Sequence, residues 1–253
     1  MLTLIGLGLY SEKDLTLRGL ERAKAGDKVY VELYTSKWHG NLEKLEKLIG
    51  KKIELLSRKD LEEDSDIILK EAEDKDLIIF VPGDPLVATT HMSLITDARK
   101  RGIDVEIIHN ASIYSAIGET GFHIYSFGAT ATIPFPEKTR GKLPKSVYEM
   151  LRMNKMNGFH TLMLLDVIAG ENKYMTPNEG MKIMLKTEEE MNDEMFTEYT
   201  EIVVFARAGS DKPLIVYGKV KDLLNKDFGK PPFVIIVPGQ MHFTEKEYLE
   251  KFR

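Results

Sequence analysis

The chain has 253 residues, no cysteine, 43% hydrophobic and 30% charged residues, and a formal net charge of −5. That length can bury one large core or two modest ones, the composition is that of a soluble globular protein, and the missing thiols exclude disulfides, thiolate metal sites and a catalytic cysteine. Apolar runs of strand length and a start that leads directly into a strand argue against a membrane span and a secretory signal, so a cytoplasmic protein is expected, and the acidic balance argues against non-specific nucleic-acid binding.

In the first half, strand patterns at Leu2–Gly6, Lys28–Leu33, Ile53–Leu56, Leu77–Val81 and Asp104–Ile108 alternate with helix patterns at Asp14–Ala25, Asn41–Ile49, Leu61–Ala72 and Thr89–Arg101. Asp14 is a candidate N-cap, and Gly26, Gly50 and Gly102 are candidate helix stops. Short strands joined by crossover helices predict a parallel sheet covered on both faces. The unbroken apolar run at 77–81 is what burial on both faces requires.

The second half changes character. A short helix over Ser112–Gly118 precedes Phe122–Gly128, a strand pattern at Ala129–Phe135 and a basic Pro/Gly-containing segment at Pro134–Lys142. Helix Lys145–Met156, strand Thr161–Asp166, helix Asn178–Glu190 and strands Glu201–Ala206, Leu214–Val220 and Phe233–Val237 follow. Asp211-Lys212-Pro213 joins two strands without a helix, so this sheet is expected to be mixed. The fold class predicted is α/β, with a parallel-sheet domain over 1–121 and a mixed-sheet domain over 122–253.

Residues 82–85, Pro-Gly-Asp-Pro, hold Asp84 in a rigid turn at the carboxyl end of a strand, where open α/β sheets bind ligands. Alone, such a motif is more often an ordinary strand-to-helix turn. Gly6-Leu7-Gly8 with Glu32 invites a dinucleotide reading, but Ser11 replaces the third glycine of that fingerprint.

In order along the chain, the segments Gly-Leu-Gly-Leu (6–9), Tyr-Thr-Ser (34–36), Gly-Asp-Pro-Leu-Val-Ala-Thr-Thr-His (83–91), Ser-Ile-Tyr-Ser-Ala (112–116), Leu-Met-Leu-Leu-Asp (162–166) and Phe-Ala-Arg-Ala-Gly-Ser (205–210) resemble the diphthine synthases. These are a branch of the tetrapyrrole-methylase-like class of S-adenosylmethionine-dependent methyltransferases. The resemblance covers nearly the whole chain. It implies a cofactor, S-adenosyl-L-methionine, folded in a cleft between the two domains and released as S-adenosyl-L-homocysteine. It implies cofactor contacts at Leu9, Asp84, Val87, Ser112, Ile113, Leu165 and Ala208, with Phe233 or Val234 a weaker candidate because the family more often has histidine where this chain reads Pro231-Pro232-Phe233. The glycines of 6–8 would let backbone approach the cofactor. The implied reaction is repeated N-methylation of the 3-amino-3-carboxypropyl side chain on a histidine of translation elongation factor 2, giving diphthine, by a homodimer.

Methyl transfer from a sulfonium asks the protein mainly to align the amine and keep it unprotonated, so the lack of an obvious triad fits, and no side chain is assigned as catalytic. Six histidines show no close metal-ligand spacing, so no metal is expected. His91 is expected to buttress the Asp84 turn, and His160 to be structural. Asp166 fits an amine-orienting role, a helix cap or a salt bridge equally, and Arg207 fits a cleft position or an ion pair. Lys138, Arg140, Lys142 and Lys145 form a basic segment on an acidic protein, suited to docking a large partner or to nothing beyond solvation. Two other functions stay open: a methyltransferase for a tetrapyrrole precursor, and a non-catalytic nucleotide-binding module.

Overall fold

The computed structural model describes residues 1–253, the side chain of residue 169 excepted. The chain divides into two compact units, Met1–Tyr114 and Ser115–Arg253, each built on its own sheet.

The first unit contains β1 (Leu2–Gly6), α1 (Leu17–Ala25), β2 (Lys28–Glu32), α2 (Leu42–Ile49), β3 (Ile53–Leu56), α3 (Arg58–Glu62), α4 (Ser65–Asp74), β4 (Leu77–Val81), α5 (Met92–Lys100) and β5 (Val105–Ile108). The strands lie in the order β3-β2-β4-β1-β5, all parallel. Side chains of a strand alternate between faces, and here both faces are buried. Leu2, Leu4, Leu77, Ile79 and Val81 pack with Leu61, Ile68, Leu69 and Leu94 of α3, α4 and α5. Ile5, Val29, Val31, Ile78 and Phe80 pack with Ala23, Leu45 and Ile49 of α1 and α2. Phe80 has no exposed surface, so Phe80→Ala should cost about 3–5 kcal/mol.

Local chemistry sets the helix ends. Asn41 caps α2 by accepting from the Lys44 amide, and Gly50 ends it in the left-handed region, as expected. Asp14 is not the cap of α1. Thr16 accepts from the Gly19 amide instead, while Asp14 folds back on Tyr10 and Ser11 in a preceding 3₁₀ turn. The helix expected over 61–72 is two helices. A capping box between Ser57 and Asp60 starts α3 early, and α3 ends at Glu62 with Glu63 as its C-cap before α4 begins at Ser65. α5 starts at Met92 rather than Thr89, because Thr89 and His91 bond the Pro85 carbonyl and hold their segment in a turn.

α6 (Ile113–Ala116) lies where the first unit ends and the second begins. The second unit then has β6 (Ala131–Ile133), α7 (Lys145–Met156), β7 (Thr161–Leu165), β8 (Val167–Ile168), β9 (Lys173–Tyr174), α8 (Pro177–Met191), β10 (Glu201–Ala206), β11 (Leu214–Lys219), α9 (Val220–Leu223), β12 (Phe233–Val237) and α10 (Phe243–Leu249). Its main sheet runs β11-β10-β12-β7-β6 and is mixed: β6 and β7 are parallel and the other pairs antiparallel. One face, with Met163, Val204, Ala206, Ile235 and Val237, shares a core with Tyr148 and Leu151 of α7 and Met181 and Met184 of α8. The methionines here fill the core, as their adaptable shape suits. The β8–β9 hairpin, α9 and α10 carry no signal strong enough to be expected from sequence.

Candidate functional site

In a parallel sheet the loops after the strands gather at one edge. β1 and β4 are neighbours, but the chain leaves β1 towards β2 and β4 towards β5, so the following helices lie on opposite faces. That is a switch point, the usual ligand position of open α/β sheets. There the two loops are bonded together. Leu7 N donates to Val81 O (2.8 Å), Gly8 N to Gly83 O (3.1 Å) and Gly83 N to Gly8 O (2.8 Å). A Cβ at Gly6 would stand 2.5 Å from Gly83 O, and one at Gly8 would stand 2.5 Å from Asp14 Cβ. The glycines at 6 and 8 are thus required by the chain's own packing. Gly83 differs. Its φ is +69°, and the nearest atom to an added Cβ is Ser112 Cβ at 3.8 Å, an ordinary van der Waals contact, so no collision requires a glycine there.

Asp84 is 5% exposed and its carboxylate is committed within the unit. Oδ1 accepts from Leu86 N (2.9 Å), and Oδ2 accepts from His109 Nδ1 (2.8 Å) and Asn110 N (3.1 Å). Asn110 in turn donates through Nδ2 to Gly6 O (2.9 Å) and Asp14 O (3.0 Å). The loops after β1, β4 and β5 therefore form one hydrogen-bonded body carrying Leu9, Asp84, Val87, Ser112 and Ile113. His109 and Asn110 were missed by sequence reasoning; their only signal is a polar pair directly after a strand.

Behind the turn stands a buried acid. Glu32 ends β2 without exposed surface and accepts from Tyr34 N (3.0 Å), Thr35 N (3.2 Å) and Thr35 Oγ1 (2.6 Å). Burial pushes its carboxyl up to about 7 against these bonds. His91 buttresses the turn as expected, Nδ1 donating to Pro85 O (3.1 Å), and burial lowers its pKa. Thr35 is a turn former bonded to Glu32.

In the second unit, Leu165 ends β7, Ala208 follows β10 and Phe233 starts the antiparallel β12. Ala206 pairs with Phe233, Leu164 with Val234, and Arg207 N donates to Pro232 O (2.9 Å), so all three residues lie at one end of the sheet. Arg207 makes no ion pair among the described residues. With φ +55° it turns its guanidinium onto the carbonyls of Phe228 (2.7 Å) and Lys230 (3.0 Å), fastening that segment. Asp166 accepts from Phe135 N (2.9 Å), Val167 N (2.8 Å) and Lys138 Nζ (2.7 Å). Its oxygens are occupied by the chain, which favours the salt-bridge role. Lys145 pairs with Glu190, leaving Arg140 and Lys142 as the cations of the basic segment that form no ion pair among the described residues. His160 is structural: Nδ1 accepts from Gly239 N (3.0 Å), so Nε2 carries the hydrogen donated to Glu245 (3.2 Å).

Among the described residues no helix is long and apolar enough to cross a membrane. The family model of tetrapyrrole (corrin/porphyrin) methylases matches residues 1–224. A diphthine synthase of Methanocaldococcus jannaschii is 48% identical over 99% of this chain and 98% of its own. One of Methanococcus aeolicus is 46% identical over 99% and 97%. A crystal structure of a diphthine synthase superposes with a TM-score of 0.89 at 35% identity, covering 99% of this chain and 95% of that one.

Proposed function

The chain belongs to the tetrapyrrole methylase family and, within it, to the diphthine synthases, and from this we propose that it is an S-adenosylmethionine-dependent N-methyltransferase that forms diphthine on translation elongation factor 2. The carrying observation is the 48% identity to a diphthine synthase along essentially both full chains. We extend the reading to a cytoplasmic homodimer, for which light scattering of the purified chain is the check.

Leu9, Asp84, Val87, Ser112 and Ile113 of the first unit, and Leu165, Ala208 and Phe233 of the second, are the residues assigned to the cofactor. The first group fits an adenosyl ligand in two respects. Leu9, Val87 and Ile113 are half-buried apolar side chains at the switch point, and Gly83 in the same loop body presents backbone with no side chain to cover it. Asp84 serves by bracing the turn, since its oxygens are engaged by Leu86, His109 and Asn110.

When bound, S-adenosylmethionine supplies an already activated methyl group. The chain's own work is then to hold the loops rigid, keep water out and align the incoming amine. The bonded loops after β1, β4 and β5 supply that rigidity. Repeated methylation requires a site tolerant of primary, secondary and tertiary amines, which suits backbone and apolar walls better than a strong side-chain base.

The test is incubation of the protein with labelled S-adenosylmethionine and either the aminocarboxypropylated factor or a tetrapyrrole precursor. Label on the factor supports the reading. Label on the precursor alone assigns a small-molecule methyltransferase, and no transfer to either counts against both.

A further inference from the structure

Glu32 and His91 are buried titratable groups that methyl transfer does not use. Glu32 has no exposed surface and His91 is 2% exposed. A buried carboxylate is usually paired with a lysine or arginine. Among the described residues Glu32 has neither; its donors are two amides and a hydroxyl. The basic group it meets is His91, whose Nε2 lies 3.8 Å from Oε1. The Pro85 carbonyl can only accept, so His91 Nδ1 carries a hydrogen and Nε2 is the atom that gains or loses a proton. Among the described residues Nε2 has no hydrogen-bond partner.

Among the described residues no lysine or arginine bonds either group. From α3, Glu62 adds negative charge near both groups and is itself held by Arg58 (3.0 Å) and the Thr90 hydroxyl (2.6 Å). The Tyr34 ring meets His91 edge-on at 6.4 Å, and its phenol also has no partner. Burial favours the neutral form of each group, raising the carboxyl and lowering the imidazole.

We propose that Glu32 and His91 are positioning residues that, as a buried pair 3.8 Å apart, together carry a single titratable proton and thereby fix the Pro85–His91 turn in its cofactor-binding shape. Removing that proton leaves a carboxylate with no cation beside it, and adding a second leaves a desolvated imidazolium. Either state forces a relaxation. β2 cannot supply it, because it is laddered to β3 and β4 on both sides, with Glu32 opposite Leu56 and Val31 opposite Phe80. His91 stands just ahead of α5, tied to the turn through Pro85. The turn is therefore the part that gives, and with it the placement of Asp84 and Val87.

The proposal rests on the reading that this turn contacts S-adenosylmethionine, so its test measures binding directly. S-adenosylhomocysteine is titrated calorimetrically into the full chain from about pH 5.5 to about pH 9. Parent affinity should fall about tenfold as the pH rises through neutrality, the direction expected when a buried acid loses its proton. Glu32→Gln keeps an acceptor for Thr35 but cannot titrate. It should bind within about threefold of the parent at about pH 6.5 and lose that fall. The exposed His109 at Asp84 is common to both proteins and cancels in the comparison. His91→Asn keeps a donor for the Pro85 carbonyl and should also bind within about threefold, whereas His91→Leu should lose about tenfold, even if Glu32→Gln fails to fold. An unchanged pH profile in Glu32→Gln, or equal binding by the two His91 variants, overturns the pair. A parent that binds at no pH overturns the cofactor reading itself.

Discussion

Gly8 and Gly83 each donate to the other's carbonyl, at 3.1 and 2.8 Å, and both adopt positive φ, +78° and +69°. Only the surroundings of the two differ. Gly83→Ala should cost about 1–2 kcal/mol from conformation alone, because an added Cβ would make only ordinary van der Waals contacts with Ser112 and Ala111. Gly8→Ala adds a collision with Asp14 and should cost more than Gly83→Ala. Urea unfolding of both variants checks the order; equal losses would count against the packing account of Gly8.

Asp84→Ala removes the acceptor of three hydrogen bonds that join the loops after β4 and β5. It should lower stability by about 2–3 kcal/mol and weaken S-adenosylhomocysteine binding by about 1–3 kcal/mol. Asp84→Asn, which keeps one oxygen for Leu86 or Asn110, should fall between. A folded Asp84→Ala variant of unchanged stability would show that the loops are held by other means.

The raised pKa of Glu32, to about 7, has a definite sign for stability. The folded chain holds a proton that the unfolded chain releases near the ordinary carboxylate value. The stabilisation is complete below about pH 4.5 and is lost as pH rises through about 7. Glu32→Gln has no such loss, so it should gain on the parent across that window, by about 1–3 kcal/mol at pH 8. Denaturant midpoints at three pH values measure this. A constant difference between parent and variant would mean Glu32 is ionised throughout.

Reversing Arg140 and Lys142 to glutamate should slow methylation of the intact factor at low salt and reduce its salt sensitivity, with cofactor affinity unchanged. Lys138 is a poor choice for this experiment because it also holds Asp166. Identical turnover of parent and double variant at both low and moderate salt would remove this segment from the docking surface.

The strands were largely legible because burial on two faces writes itself as an unbroken apolar run, as at 77–81, and the observed β4 has those bounds. Helix α7 was likewise legible from its period. What stayed hidden depends on partners distant in sequence. Nothing near Asp84 shows that its oxygens are taken by His109 and Asn110, and nothing near Asp166 shows Lys138 or Phe135. Glu32 drew notice only as an acid after a strand, since desolvation is a property of the assembled sheet. The break between α3 and α4 was hidden for the opposite reason: the apolar period on either side outweighs a local capping box.

β1 is made first yet lies inside the sheet, between β4 at residues 77–81 and β5 at 105–108. During synthesis it has no partner until β4 has left the ribosome, and its second edge stays open until β5 follows. Such long-range closure is slow compared with local pairing. The first unit should therefore gain protease resistance in one late step as nascent chains are lengthened past residue 108, and release of chains arrested before β4 should yield species that aggregate through the uncovered edges of β1.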